Sequence, residues 1–366
     1  MPEPVPAFAA PLRGRRVLLT GHTGFKGAWL ALWLSRLGAS VTGFALPPAT
    51  SPSVFQAARV EEGLERSVEG DLRDRAHVEA VVREARPELV LHLAAQSLVP
   101  AAAVAPVETF EVNVLGTAHV LEAVRVLGRP CAVVVVTSDK CYEDRDQVWG
   151  YRESDALGGS EPYAASKAGA ELVVAAYQRS YFAPGGASGV LVASARAGNV
   201  LGGGDWAPQR LVPDAIRALV AGAVLRLRNP GQVRPWQHVL EPLAGYLLLA
   251  ARLLEGDATV VGPWNFGPVP GEEAAVTTLV DEVFAVWGDG RWTADAGLPT
   301  PETAQLRLAV DKAVAELGWR PAWPRREVVR RTVAWYRRYH RGDGDARAAC
   351  LDDITAYEAA MGGLPG

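Results

Sequence analysis

A tyrosine and a lysine four residues apart, in Tyr163-Ala-Ala-Ser-Lys167, form one candidate reactive pair in the sequence. Residues at positions i and i+4 of a helix share a face, so the phenol and the ammonium point into the same space. A phenol with an ordinary pKa of about 10 is a poor base at neutral pH, and we expect the neighbouring cation to lower that pKa. The pair would then accept the proton of an alcohol while its hydride leaves for a nicotinamide.

A second polar cluster, Thr137-Ser138-Asp139-Lys140, comes directly after the apolar run 132–136. Catalytic groups of open parallel sheets collect at the carboxyl ends of strands. A hydroxyl, a carboxylate and an amine in succession offer a substrate hydrogen bond, an acid and a base. An ordinary polar loop with a helix cap is the alternative that these residues alone leave open. Cys141 is expected to be a small buried residue and not a nucleophile.

A glycine-rich segment lies between the predicted first strand (16–20) and first helix, with the spacing GxxGxxG and not GxGxxG. Glycines there let the backbone turn tightly and approach a pyrophosphate, whose charge the helix N-terminus receives. The segment therefore predicts a dinucleotide site formed by Gly21, Thr23, Gly24, Phe25, Lys26 and Gly27.

The residues leave the choice between NAD and NADP open. The second strand ends Gly43-Phe-Ala-Leu-Pro47, without an acidic residue to take the ribose 2′-hydroxyl. Lys26 or His22 could meet a 2′-phosphate, but we expect both to be solvated loop residues. Asp71 follows the predicted third strand and could accept a hydrogen bond from the adenine amino group; a turn residue or helix cap is the alternative.

Alternating short apolar and longer amphipathic runs predict the frame that positions these groups, namely βαβ units around a parallel sheet. We predict an α/β fold: a Rossmann-like, doubly wound parallel sheet with a smaller α+β substrate-binding lobe. The nucleotide-binding domain covers residues 1–195 and about 233–262, and the lobe covers 196–232 and 263–366. The predicted elements are strands at 16–20, 40–44, 89–93, 132–136 and 189–195, a helix ending at Gly38, and helices at 107–127 and 162–181.

Composition narrows the class of protein. The 366 residues are 49% hydrophobic, and 37 basic against 41 acidic residues give a net charge of −4 without a basic block, so neither nucleic acid nor an anionic membrane is an expected partner. No apolar run reaches the ~18–20 residues of a membrane span. Three cysteines without a CxxC pair favour a reducing, cytoplasmic setting. The six scattered histidines predict no metal site.

Together these motifs resemble the extended short-chain dehydrogenase/reductase family and, within it, the branch that dehydrates CDP-linked glucose. The narrower likeness rests on short segments spread along the chain: Thr20-Gly-His-Thr-Gly-Phe-Lys-Gly27, Thr137-Ser-Asp-Lys-Cys-Tyr142, Pro162-Tyr-Ala-Ala-Ser-Lys167 after Gly158-Gly159, Arg196-Ala-Gly-Asn-Val200, Gly202-Gly-Gly-Asp-Trp206 and Val233-Arg-Pro-Trp-Gln-His-Val239.

The resemblance implies a sequence of steps. Tyr163, helped by Lys167, takes the C4 hydroxyl proton as the hydride moves to NAD, while Ser138 holds the C4 oxygen. Asp139, with a raised pKa, protonates the departing C6 hydroxyl. Lys140 stands where related dTDP-glucose dehydratases carry a glutamate, and it is either the C5 base or a cation that stabilises the enolate. CDP-glucose becomes CDP-4-keto-6-deoxyglucose without net consumption of NAD.

The resemblance also extends the binding sites. It adds Leu72, Leu93, Ala94, Ala95 and Gln96 to the cofactor site and makes Asn199, Arg234, Trp236 and His238 candidates for the nucleotide sugar. It implies a cytoplasmic homodimer or larger homo-oligomer, assembled through the helices at 107–127 and 162–181. A nucleotide-sugar 4-epimerase is the main alternative function, and a non-catalytic dinucleotide sensor is a further one.

Overall fold

The computed structural model describes residues 6–268, 271–295, 306–342 and 344–362. Its strands are β1 (Arg16–Thr20), β2 (Ser40–Ala45), β3 (Arg66–Glu69), β4 (Leu89–His92), β5 (Cys131–Val136), β6 (Val190–Ala197), β7 (Val200–Leu201), β8 (Leu225–Leu227), β9 (Val233–Arg234), β10 (Gln237–His238), β11 (Gly262–Phe266), β12 (Ala274–Ala275) and β13 (Trp292–Ala294).

Its α-helices are α1 (Phe25–Arg36), α2 (Val54–Ala57), α3 (Arg75–Ala85), α4 (Val99–Val104), α5 (Pro106–Phe110), α6 (Gly116–Leu127), α7 (Pro162–Ser180), α8 (Leu211–Ala221), α9 (Leu240–Leu254), α10 (Val276–Trp287), α11 (Arg325–Arg341) and α12 (Ala346–Gly362). Short 3₁₀ turns cover Ala7–Leu12, Val60–Gly63, Asp139–Cys141 and Ala258–Val260. Within the described ranges, no helix combines the length and apolar character needed to cross a bilayer.

Seven strands form one central sheet in the order β11-β6-β5-β4-β1-β2-β3, and every neighbouring pair is parallel. Each face of the sheet packs against its own hydrophobic core. Successive side chains of a strand point to opposite faces and so enter different cores. In β5 this alternation sends Ala132, Val134 and Val136 into one core and Cys131, Val133 and Val135 into the other. The predicted parallel α/β fold is confirmed, and β1 has the bounds expected from the sequence.

The two long predicted helices are present, with one interruption. The segment predicted at 107–127 consists of α5, a π-helical stretch at Glu111–Leu115 and α6, and it ends at Gly128 in a left-handed conformation (φ +63°). Helix α7 begins at Pro162, where the Glu161 carboxylate accepts hydrogen bonds from the amides of Tyr163 and Ala164. This cap fixes the first turn of α7, which carries Tyr163.

The central sheet extends further than the predicted nucleotide-binding domain. Strand β6 continues to Ala197, and β11 adds an edge strand that reaches Phe266, so residues 263–266 belong to the sheet and not to the predicted lobe. One hydrophobic core runs from α1 and α9 to α11 and α12. The Trp29 indole of α1 donates to the carbonyl of Gly203 at 3.0 Å. Residues beyond 196 therefore pack directly on the sheet domain.

Candidate active site

The turn between β1 and α1 is tight at two glycines. Gly21 has a φ of +77°, and a Cβ atom there would stand 2.7 Å from the amide nitrogen of Ala94. A Cβ atom at Gly27 would stand 2.0 Å from the carbonyl oxygen of Gly21. Helix α1 begins directly after Gly24 and has no side-chain cap. The backbone amides of its first turn can therefore donate hydrogen bonds to an anion. These features fit the pyrophosphate of a dinucleotide.

The expectation that His22 and Lys26 are solvated loop residues is wrong. The His22 ring fills the space over Gly43, and its Nε2 lies 2.9 Å from Ser67 Oγ. Burial lowers the pKa of His22 to about 4, so the ring is neutral. Lys26 is half-buried, and burial lowers its pKa to about 8 while the charge of the Asp139 carboxylate opposes that change.

The remaining predicted cofactor residues lie in the segments that follow β3 and β4. The amides of Leu93 and Ala94 donate to Thr20 Oγ1 at 3.2 and 3.1 Å, which places the segment after β4 beside the end of β1. The backbone amide of Gln96 donates a hydrogen bond to Asn113 Oδ1 at 2.8 Å. Ala95 lies between Ala94 and Gln96 in the chain. Leu72 is buried beside Gly116.

Asp71 occupies the turn after β3. Its carboxylate accepts from the Arg73 side chain and, at 2.9 Å, from the Arg73 amide. The bond from the Arg73 guanidinium lowers the pKa of the Asp71 carboxyl. This is the turn role that the sequence left open, and the contact of Asp71 with adenine remains a prediction.

Tyr163 and Lys167 lie on α7 and are almost fully buried. Lys167 Nζ donates to the carbonyl of Val136 at 3.4 Å, next to the polar segment after β5. Burial lowers the pKa of Lys167 to about 8 and raises that of Tyr163 to about 12. The predicted lowering of the pKa of Tyr163 is therefore wrong for this structure, because the loss of solvent outweighs the hydrogen bond with Ser138 that favours the phenolate.

The segment after β5 forms a single 3₁₀ turn that Ser138 caps. Ser138 Oγ accepts from the Lys140 amide at 3.2 Å and donates to Asp139 Oδ1 at 2.9 Å. Asp139 Oδ2 is buried and has no hydrogen-bond partner among the described residues. Burial raises the pKa of Asp139, although the charge of the half-buried Lys140 opposes the shift. The raised pKa of Asp139 is the shift predicted for an acid that must act in its protonated form.

Two distant segments therefore meet at one place. The Ser138 side chain hydrogen-bonds with the Tyr163 phenol, and the charge of Asp139 acts on the same phenol. Phenol, hydroxyl and carboxyl lie together at the carboxyl ends of the central strands, beside the glycine turn. A hydroxylated substrate at this point could lose a proton to one group and gain a proton from another.

The candidate substrate residues divide into two kinds. Arg234 is buried but its charge acts on Asp139, and Asn199 is exposed on the turn after β6. His238 has no exposed surface: its ring lies 5.8 Å from that of Trp29 and 4.9 Å from that of Trp323, and burial lowers its pKa to about 3.

Trp236 is also a core residue. It is 5% exposed, and its indole donates to the carbonyl of Ala274 at 3.1 Å. The aromatic rings of Trp29 and Trp323 enclose His238, and the Trp236 indole is bonded to the carbonyl of Ala274, so the assignment of both residues to the sugar site stays a prediction. Cys141 is fully buried, as expected, and burial raises the pKa of its thiol.

A buried ion pair beside the reactive residues was not predicted. The guanidinium of Arg196 on β6 lies 2.7 Å from the carboxylate of Glu171 on α7, and both side chains are 3% exposed. Two signals in the sequence could have found it: an acidic residue four positions after Lys167, and an arginine within an otherwise small or apolar strand.

Residues 18–332 match the model of the GDP-mannose 4,6 dehydratase family, and the chain belongs to that family. It is 46% identical over 351 residues to the CDP-glucose 4,6-dehydratase of Salmonella typhimurium, covering 95% of this chain and 97% of that protein. It is 27% identical to a dTDP-glucose 4,6-dehydratase of Xanthomonas campestris, covering 87% of this chain and 92% of that protein. The predicted family and its dehydratase class are confirmed.

Solved structures of a dehydratase and an epimerase share the fold of this chain. The dTDP-glucose 4,6-dehydratase of Streptomyces venezuelae, crystallised with NAD, superposes with a TM-score of 0.72 at 26% identity, covering 90% of this chain and 99% of that one. The UDP-glucose 4-epimerase of Thermus thermophilus, also in complex with NAD, superposes with a TM-score of 0.75 at 28% identity, covering 88% of this chain and 98% of that one.

Proposed function

We propose that this protein converts CDP-glucose to CDP-4-keto-6-deoxyglucose through bound NAD. The observation that carries the proposal is the convergence of Tyr163 with Ser138 and Asp139 beside the glycine turn. An alcohol oxidation needs the phenol, and an elimination of water needs an additional acid. The similarity to the Salmonella CDP-glucose dehydratase over nearly the whole of both chains supports the choice of substrate.

The dinucleotide-binding residues favour NAD over NADP. His22 is neutral and buried, so it offers no charge to a 2′-phosphate, and the charge of Lys26 interacts with that of Asp139. Gly21, Gly24 and Gly27 admit the pyrophosphate to the first turn of α1. When bound, NAD supplies the acceptor for the C4 hydride and returns that hydride at C6.

In the first half of the reaction, Tyr163 accepts the proton of the C4 hydroxyl. Its raised pKa makes the phenolate costly, and two groups reduce that cost. Ser138 hydrogen-bonds with the phenol, and the Lys167 ammonium lies on the same face of α7. Ser138 also holds the C4 oxygen of the sugar.

In the second half, the 4-ketone acidifies the C5 hydrogen. Lys140 removes that proton, and protonated Asp139 gives a proton to the C6 hydroxyl, which leaves as water. As C6 receives the hydride, a proton that has exchanged with solvent returns to C5. The buried carboxyl of Asp139 suits this role because burial favours its neutral form. The alternative for Lys140 is a permanent charge that stabilises the enolate.

The residues beyond 196 supply the nucleotide-sugar site. Arg234 offers a guanidinium fork to the diphosphate, and exposed Asn199 precedes β7, which pairs with β10. We retain residues 198–232 and 267–366 as the substrate-binding lobe, because β6 and β11 belong to the central sheet. The base of the nucleotide rests on the similarity to the Salmonella enzyme.

Exposed apolar side chains support a homodimer, and the three free cysteines fit the reducing conditions of the cytoplasm. Val107 and Leu115 on the segment 106–127 are 69% and 52% exposed, and Leu172 on the adjacent α7 is 61% exposed. Apolar side chains gathered on two neighbouring helices mark a surface for another protein. A second copy of this chain would bury both helices against their equivalents.

Incubation with CDP-glucose and NAD tests the function. We expect a 4-keto sugar, incorporation of one solvent deuterium at C5, and no net reduction of NAD. Turnover of CDP-galactose without a keto product would instead establish the 4-epimerase. Parallel incubations with dTDP-glucose and UDP-glucose test the base, and Tyr163→Phe is the inactive control with the same volume.

A further inference from the structure

The carboxylate of Glu171 lies on α7, the helix that carries Tyr163 and Lys167. Glu171 follows Lys167 by one helical turn and Tyr163 by two, so all three residues lie along one face of α7. It is 4% exposed. Burying a carboxylate costs free energy unless charges and hydrogen bonds compensate the loss of solvent. The groups bound to Glu171 therefore indicate its role.

Three side chains donate to this carboxylate. Thr137 Oγ1 donates to Oε1 at 2.5 Å, whereas Ser194 Oγ and Arg196 Nη2 donate to Oε2 at 2.8 and 2.7 Å. Thr137 directly precedes Ser138, and the other two donors lie on β6. Glu171 therefore joins the helix of Tyr163 to the segment of Ser138 and to the neighbouring strand.

Arg196 extends the connection to the far end of the same segment. Its Nη1 donates to the Tyr142 hydroxyl at 2.8 Å, and that hydroxyl donates to Asn265 Oδ1 at 2.7 Å on β11. The guanidinium also stands 4.9 Å from the centre of the Tyr142 ring. The short run from Ser138 to Lys140 is thus held at both ends, by Thr137 and by Tyr142.

The charge of Glu171 reaches Lys167. Burial lowers the pKa of Lys167 to about 8, and the Glu171 carboxylate opposes that change. The other titratable groups facing the ammonium are Cys141, whose thiol stays protonated, His92, which stays neutral, and Lys26, which repels it.

We propose that Glu171 is a positioning residue, which fixes Ser138, Asp139 and Lys140 opposite Tyr163 and places its carboxylate one helical turn from Lys167. The inference rests on the proposed function of those groups. A buried ion pair gives little net stability compared with an apolar pair of the same size, so orientation is the better account of this one.

Glu171→Gln tests the role because it removes the charge at constant volume. We expect kcat to fall about 100-fold with KM within about twofold, the size of effect that misplaced reactive groups produce. The alkaline limb of the pH profile and the midpoint of the Lys167 ammonium titration, followed by ¹⁵N NMR, should both move to lower pH. Lys167→Arg identifies the resonance.

Thr137→Val separates geometry from charge and serves if the first variant does not fold. It removes one donor and keeps the carboxylate, so kcat should fall about tenfold with an unchanged Lys167 midpoint. Asp353→Asn is the matched control: Asp353 is bonded to Arg331 between α11 and α12, away from the site. The Asp353→Asn variant should unfold more easily, but the alkaline limb of its pH profile and the midpoint of its Lys167 titration should stay as in the wild type.

An unmoved Lys167 midpoint in Glu171→Gln, or unchanged kcat in Thr137→Val, would overturn the inference. Wild-type protein that does not turn over CDP-glucose would instead overturn the proposed function. The NMR titration still tests the effect of Glu171 on Lys167 in that case, because it needs no substrate.

Discussion

The carboxyl group of Asp139 lies against Gly198, where a Cβ atom would stand 2.9 Å from Asp139 Oδ2 and 3.1 Å from Cγ of Pro235. Contacts below 3.0 Å are essentially never found around real Cβ atoms, so a side chain at this position would push the carboxyl group away. Ser138 holds the other oxygen at 2.9 Å. The position of the proposed acid therefore depends on the absence of a side chain at Gly198.

Gly198→Ala should displace the acid without disturbing the cofactor. We expect kcat for CDP-glucose to fall about 100-fold, because a shift of about an ångström is enough for such a loss. NAD affinity, measured by calorimetry, should stay as in the wild type. Gly231→Ala is the control, since a Cβ atom there meets nothing within 4 Å; full activity in both variants would refute the explanation.

Asp139→Asn should separate oxidation from dehydration. The amide keeps the volume and the contact with Ser138 but cannot donate a proton as an acid. We expect oxidation at C4 to proceed and the loss of water to slow by about 10²–10⁴-fold, so that reduced nicotinamide accumulates in stopped-flow absorbance. If neither reduced nicotinamide nor product forms, Asp139 belongs to the first step.

Lys140→Met tests the base at C5. The variant should bind CDP-glucose normally, because the loss affects only the proton acceptor. Exchange of the C5 hydrogen with deuterated solvent, followed by mass spectrometry, should disappear. Exchange at the normal rate would exclude Lys140 both as the C5 base and as the charge that stabilises the enolate.

The carboxyl of Glu241 should make folding stability depend on pH. It accepts from the amides of Ala322 and Trp323 and, at 2.5 Å, from the Tyr357 hydroxyl, and burial raises its pKa from 4.5 to about 7. A raised carboxyl pKa means that the folded state holds the proton more tightly than the unfolded state. Its contribution is complete below pH 4.5 and disappears as the pH rises through about 7.

The expected size of that effect is at most about 3 kcal/mol, since one pKa unit corresponds to about 1.4 kcal/mol. Urea unfolding between pH 5 and pH 8 measures it. Glu241→Gln removes the titrating group at the same volume, so its free energy of unfolding should vary less with pH. An equal slope in the two proteins would contradict the assignment.

A charge on the exposed face of α7 should prevent dimer formation. Leu172→Glu places a carboxylate where we propose that a second copy packs, and burying an unpaired charge there is strongly unfavourable. Light scattering after size exclusion should show a dimer for the wild type and a monomer for the variant. Val148→Glu is the control, because Val148 is 76% exposed but lies in the loop before Tyr151.

Local features of the sequence predicted the sheet well, and they placed Tyr163 and Lys167 correctly on one helix. The apolar runs of β1 and β5, the glycine at the end of α6 and the tyrosine–lysine spacing each depend on neighbours in the chain. The segment 106–127 shows the limit of this reasoning, since its apolar pattern gave no sign of the π-helical stretch at Glu111–Leu115.

The sequence did not reveal environments that contacts between distant segments decide. His22 is buried because Gly43 leaves room for its ring, and His238 is buried because Trp29 and Trp323 enclose it. Neither enclosure can be read from spacing. The pKa of Tyr163 follows from the same cause, because the depth of burial depends on the whole fold.

The bonds to Glu241 also have a consequence for biosynthesis. Its amide partners lie 81 and 82 positions further along the chain, and its hydroxyl partner lies 116 positions further along. A ribosome delivers the carboxylate of α9 long before it delivers the groups that satisfy it. Chaperones that shield incomplete chains would therefore find their substrate in this interval, which begins after six of the seven central strands are made and ends when α12 emerges.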